Sequence, residues 1–327
     1  MSLTDIDSYN PLIEEPSDFD EFWRACRETI AEVEPKPILA RQKAPALGLQ
    51  LDKLEFTSLG QVPIRGYLLT HDSPEPRPLI VHSHGYNSQH DIMLHWARTG
   101  CNVCGFDLRG FGRSGRLPLA KGGWVLTGIE SPQTSIIRGA VSDIAQAIAV
   151  ARELLSWRIS TITLKGFSFG GALAIMEAAF DPYANMVVAG QPTFGWNKER
   201  IRLAKAGSSM EIKRFLEANP EEADRALETL NYFDTLHFAK RIQKPTFIGV
   251  GLDDDVVPSR SVMGTASRLT SPSELRVLPV SHSDDPRESL WKKFDDEWLA
   301  MTVGGLPANF GSDERRIRSI GLEADAA

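Results

Sequence analysis

Only three cysteines occur among the 327 residues, basic charge is not in excess, and no stretch stays apolar long enough to cross a bilayer. An odd cysteine count closes no disulfide framework, and a chain this long buries roughly three quarters of its unfolded surface and needs none. The most apolar helix-like segment, GALAIMEAAF at 171–180, is about half a membrane span and carries Glu177. No membrane partner is expected.

Acidic residues outnumber basic ones by 43 to 36, for a net charge of -7. Such a surface has no field to gather phosphate backbones, so no nucleic-acid partner is expected either. The start, MSLTDIDSYN, lacks the basic and apolar parts of a secretory signal, which points to a cytoplasmic location. Seven histidines show no metal-ligand spacing, so no metal and no cofactor is expected. Cys101 and Cys104 form a C-x-x-C, but the apolar residues around them read as a buried strand.

What is present is a rhythm of short β-branched or aliphatic runs and longer helical patterns, the signature of a mostly parallel sheet flanked by helices. Strands are expected at 51–56, 64–70, 79–83, 102–106, 161–165, 186–189, 246–250 and 274–278, the first two as an antiparallel entry. Helical spacing over 139–157 and 172–180 marks two helices that cover the sheet.

Ser17 or Asp18 can cap a helix that runs to about Val33, where Pro35 and Pro37 stop it. Three parts are thus expected: an N-terminal arm at 1–45, an α/β domain at 46–303 with a cap-like helical insertion at 191–242, and a loose tail at 304–327.

The expected strand at 161–165 runs into Gly166-Phe167-Ser168-Phe169-Gly170-Gly171 and then a helix. This G-x-S-x-G is a sharp strand-to-helix turn, where small neighbours leave the Ser168 hydroxyl free and the Phe169 amide faces a developing oxyanion. A serine hydroxyl needs a base and an orienting acid. Both follow in the order of the α/β-hydrolase fold.

The acid falls in Gly251-Leu252-Asp253-Asp254-Asp255-Val256-Val257-Pro258, where the G-x-x-D-x-x-V-P spacing favours Asp254 over Asp253 and Asp255. The base is His282, just beyond the last expected strand. His84-Gly85-Tyr86-Asn87 follows the third strand, where this fold takes its second oxyanion amide, here that of Tyr86. His82 reads as structural.

Residues 110–115 also spell G-x-G-x-x-G after a strand, a dinucleotide fingerprint. Leu117-Pro118 and Gly122-Gly123 stand where a phosphate-binding helix would start, which argues against it. Asp107 and Arg109 then read as charges that structure the loop.

With these pieces, and with PSDFDEFW at 16–23, Asp107-Leu108-Arg109-Gly110, Gly123-Trp124 and Thr127-Gly128-Ile129, the chain resembles the acetyl xylan esterase and cephalosporin C deacetylase family. The resemblance spans about residues 9–300. It implies an α/β-hydrolase fold, Ser168 as nucleophile, His282 as general base and acid, Asp254 as its orienter, and the Tyr86 and Phe169 amides as oxyanion hole. It also implies removal of small acyl groups from sugars or similar alcohols, and a ring-like homo-oligomer.

The family usually has Arg-Gly-Gln, a glutamine after the nucleophile and His-Glu, where this chain has Phe111, Phe169 and Ser283. These departures suggest a more apolar pocket. A peptidase, thioesterase or carbon-carbon hydrolase would use the same triad, and a non-catalytic binding protein would keep the fold without the chemistry.

Overall fold

The computed structural model of the chain describes residues 11–203, 205–281 and 290–320. Ten strands form one sheet: β1 (Ile38–Arg41), β2 (Leu49–Ser58), β3 (Val62–His71), β4 (Arg77–Ser83), β5 (Asn102–Asp107), β6 (Ile159–Phe167), β7 (Met186–Gly190), β8 (Thr246–Gly251), β9 (Ser273–Leu278) and β10 (Ile317–Ser319). Their order is β1-β2-β3-β5-β4-β6-β7-β8-β9-β10. The pairs from β5 to β10 are parallel, while β1, β2 and β3 join antiparallel at one edge.

Burial on both faces explains why the central strands read as near-continuous apolar runs. Side chains alternate across the pleat. On β4, Leu79 and Val81 belong to one buried cluster and Ile80 to the other; on β7, Val187 and Ala189 oppose Met186 and Val188.

Eleven helices are described: α1 (Phe19–Ala31), α2 (Leu94–Arg98), α3 (Ile136–Leu155), α4 (Phe169–Ala178), α5 (Asn197–Leu203), α6 (Gly207–Ala218), α7 (Ala223–Asn231), α8 (Thr235–Ala239), α9 (Ser259–Ala266), α10 (Trp291–Gly304) and α11 (Asp313–Arg316). The Ser135 hydroxyl caps α3 by accepting from the Ile137 amide, and α3 and α4 pack together over one face of the sheet. On the other face, α10 buries Trp291, Phe294 and Trp298.

The leading helix α1 starts after Asp18, whose carboxylate accepts from the Tyr232 hydroxyl at 2.5 Å instead of capping the helix. Phe19, Phe22 and Trp23 bury themselves against Phe180, Tyr232, Phe233 and Phe238.

All eight expected strands are present, most of them longer by a residue or two. Two others are additions. Strand β1 has four exposed residues and hence no apolar pattern to betray it, and β10 forms by pairing with β9. The tail expected to be loose is therefore tied to the sheet as far as Ile320, whose amide donates to the Val277 carbonyl at 2.9 Å.

The chain leaves β4 for β5 on one side and returns to β6 on the other, so the connections diverge at the β4/β6 boundary. In open α/β sheets, ligands bind in the crevice beyond the strand ends at such a point.

Candidate active site

Ser168 sits at that crevice. It follows β6, precedes α4, and has φ 53 and ψ -113, a conformation costly for any residue with a Cβ. Its amide donates to the Gly190 carbonyl at 2.8 Å, and its carbonyl accepts from the amides of Ala172 and Thr193 at 3.1 and 3.2 Å.

The flanking glycines are required by contact. A Cβ on Gly166 would lie 2.1 Å from the Gly170 carbonyl, and one on Gly170 would lie 2.1 Å from the Ser83 carbonyl. The end of β4 and the first turn of α4 thus touch backbone to backbone, further joined by a hydrogen bond from the Ser83 hydroxyl to the Gly170 carbonyl at 3.0 Å. Phe169 opens α4, where first-turn amides lack helical acceptors and the dipole favours negative charge.

Tyr86 lies beyond the neighbouring strand β4, its ring edge-on to that of Phe169 with centroids 5.7 Å apart. The Tyr86 hydroxyl donates to Glu211 of α6 at 2.5 Å and accepts from the Val125 amide at 3.0 Å, which fixes the loop from two directions. Burial, then the neighbouring Glu211, pushes the phenol pKa up; burial likewise raises that of Glu211.

The three aspartates after β8 differ in surroundings. Asp254 is buried, and its Oδ1 accepts from the Val256 and Val257 amides at 2.9 and 2.8 Å. Asp253 is exposed, and so is Asp255, which pairs with Lys205 at 2.8 Å. Bonds to the Leu278 and Val280 carbonyls at 2.9 and 3.3 Å lace this loop to the end of β9. His282 follows directly and lies outside the described residues, as does Ser283.

Gln191, fully buried after β7, carries no motif and was not foreseen. Its amide group donates to the Gly251 and Val257 carbonyls at 3.2 and 2.8 Å and accepts from the Gly251 amide at 2.5 Å, bracketing the Asp254 loop at both ends.

A cavity of about 310 Å³ opens beside Ser168, lined by Tyr86, Asn87, Thr193, Ser208, Val256 and neighbouring residues. Phe111 and Phe169 are not among its described walls. Their rings pack instead with Trp124 and Tyr86 in a buried aromatic cluster, so the expectation that they make the pocket apolar is corrected.

Most of the remaining polar groups have structural partners, although the buried Nδ1 of His82 finds none among the described residues. His84 donates through Nδ1 to the Gly85 carbonyl at 2.7 Å and accepts at Nε2 from the Leu108 amide at 3.0 Å. Asp107 gathers the His90 amide, the His90 ring and the Arg113 amide, and Arg109 forms a forked pair with Asp143. Only a short 3₁₀ turn, Gly112–Ser114, stands where a dinucleotide would need a helix N-terminus. Cys101 and Cys104 are buried free thiols whose pKa values burial raises to about 11 and 12. No cluster of three or more metal-ligating side chains occurs among the described residues.

The family model of acetyl xylan esterase (AXE1) matches residues 1–297. An acetyl esterase of Xylanibacter ruminicola is 25% identical over 160 residues, 49% of this chain and 35% of that protein, so the alignment spans about a third of that relative's length. Solved acetyl xylan esterases from Paenibacillus sp. R4 and Thermoanaerobacterium sp. JW/SL YS485 superpose with TM-scores of 0.83 and 0.82, each at 23% identity. They cover 91% and 92% of this chain and 99% of their own lengths. An acylaminoacyl peptidase of Pyrococcus horikoshii shares the fold more distantly, with a TM-score of 0.59 at 16% identity over 91% of this chain and 45% of its own. These structural likenesses show the α/β-hydrolase fold.

Proposed function

Because this chain belongs to the acetyl xylan esterase family, we propose that it is a serine carboxylesterase that removes small acyl groups, acetyl foremost, from sugars or other small alcohols. Ser168 attacks the ester carbonyl while His282 takes its proton, and the amides of Phe169 and Tyr86 receive the oxyanion. His282 then protonates the leaving alcohol, and water cleaves the acyl-enzyme by the same route. Asp254 orients His282 and stabilises its charged form.

The observation that carries this reading is the strained Ser168, held at φ 53 on the lip of a 310 Å³ cavity and beside the first turn of α4. Strain of this kind persists only where the surroundings over-determine it. The volume suits a small ester, and the free, buried cysteines suit a reducing cytoplasm. The homo-oligomer belongs to the same reading and rests on the family resemblance.

An ester series from p-nitrophenyl acetate to longer acyl chains and acetylated sugars, given to the wild type and Ser168→Ala, tests it. Acetyl esters should turn over fastest, and the variant should lose on the order of 10⁵- to 10⁶-fold in kcat. Equal turnover by both proteins would overturn the mechanism.

A further inference from the structure

Behind the cavity lies a buried cation with an unusual set of partners. Arg200 of α5 has no exposed surface, and its guanidinium donates to the Asn197 side-chain oxygen and to three hydroxyls, those of Thr193, Ser208 and Ser209. Its ring partner is Phe194, 4.5 Å below the guanidinium carbon. No carboxylate pairs with it among the described residues. Asp234 influences it from farther off but spends its oxygens on the amides of Trp196, Asn197 and Leu236.

Two of those hydroxyls, Thr193 and Ser208, also line the cavity with Ser168. Each is more than nine-tenths buried. A hydroxyl that accepts from a guanidinium has its own proton left to give, and neither finds an acceptor among the described residues. Donors next to a full charge are also the stronger ones.

We propose that Thr193 and Ser208, held and polarised by Arg200, read an uncharged oxygen of the substrate's alcohol portion beside the scissile ester. The site thereby selects acetylated polyols over acetates of plain hydrocarbon alcohols. This rests on the esterase reading above. An anionic group is disfavoured because Glu211 and Asp254 stand behind the lining residues, bonded to Tyr86 and to the Val256 and Val257 amides, and Asp234 already offsets the charge of Arg200. Gly207 seats this wall against the acid loop, since a Cβ there would lie 2.8 Å from Val256.

The test compares kcat/KM for a monoacetylated methyl xyloside, cyclohexyl acetate and O-acetyl-lactate, using the wild type and the pair Thr193→Val with Ser208→Ala. A site that loses a donor to a substrate oxygen forfeits about three- to tenfold per hydrogen bond. The wild type should favour the xyloside over cyclohexyl acetate by tenfold or more, and the paired variant should bring that ratio close to one. The hydroxyl-keeping pair Thr193→Ser with Ser208→Thr should retain it, which separates donor loss from misfolding. A ratio that survives the Val/Ala pair, or a wild type that prefers O-acetyl-lactate, overturns the assignment. Failure of the wild type on all three and on p-nitrophenyl acetate would instead overturn the esterase reading itself.

Discussion

The two sides of the cavity are built by opposite means. On the elbow side, from β4 to α4, the chemistry is backbone: a strained Ser168, two glycines pressed against carbonyls, and amides that any side chain would leave in place. On the insertion side, from Gln191 through α8, it is side chain: Gln191 clamping the acid loop, Glu211 holding Tyr86, and a buried Arg200 holding two hydroxyls. The contrast separates two tasks. On the proposed reading, bond breaking depends on fixed dipoles and tolerates little change, whereas substrate reading depends on exchangeable groups carried by a segment outside the sheet.

Changes at the acid loop and on the elbow side should cost most. Asp254→Asn keeps shape but withdraws the charge that, on the proposed mechanism, orients and stabilises the protonated base, and kcat should fall about 10⁴-fold with little change in the melting transition. Gly170→Ala should act on the fold instead. Its methyl would lie 2.1 Å from the Ser83 carbonyl, and a loss above about 4 kcal/mol, read by urea unfolding, is expected. A tolerated alanine there would show that the contact between β4 and α4 is slack.

The insertion side should respond more gently. Arg200→Met leaves Asn197, Thr193, Ser208 and Ser209 without their donor and should cost about 3 kcal/mol in unfolding. Activity on p-nitrophenyl acetate, measured below the variant's melting point, should drop far less than in Asp254→Asn. His237 of α8 gives the smallest effect. Burial lowers its pKa from 6.5 to about 4, so the folded state keeps it neutral where the unfolded chain takes up a proton. Stability is full above pH 6.5 and is lost as pH falls from there toward 4, by at most about 3 kcal/mol. Thermal melts at pH 7 and pH 5 should show the decline, and His237→Phe should flatten it.

The same contrast explains what could be read from the sequence. The elbow was legible because its signal is local: five residues between a β-branched strand and a helix state the geometry outright. Most central strands were legible for a like reason, as apolar runs buried on both faces, while β2 alternates between buried and exposed positions. The Asp254 loop was readable in spacing, and burial separates Asp254 from its exposed neighbours. Thr193, Ser208 and Arg200 carry no motif; they meet because α5 and the start of α6 fold back beside β7. Strand β10 was hidden because its order comes from pairing with β9. Phe111 and Phe169 misled because residue type announces polarity but not direction, and both rings turn into the core.

On the proposed mechanism, Ser168 is the activated nucleophile of this chain. Reaction with a fluorophosphonate, followed by peptide mapping of the intact protein's adduct, tests it most directly. One adduct per chain on Ser168, formed at a rate that falls as pH drops and the imidazole base takes up a proton, is the expected result. An unlabelled wild type, or an adduct on another serine with Ser168 untouched, would contradict it.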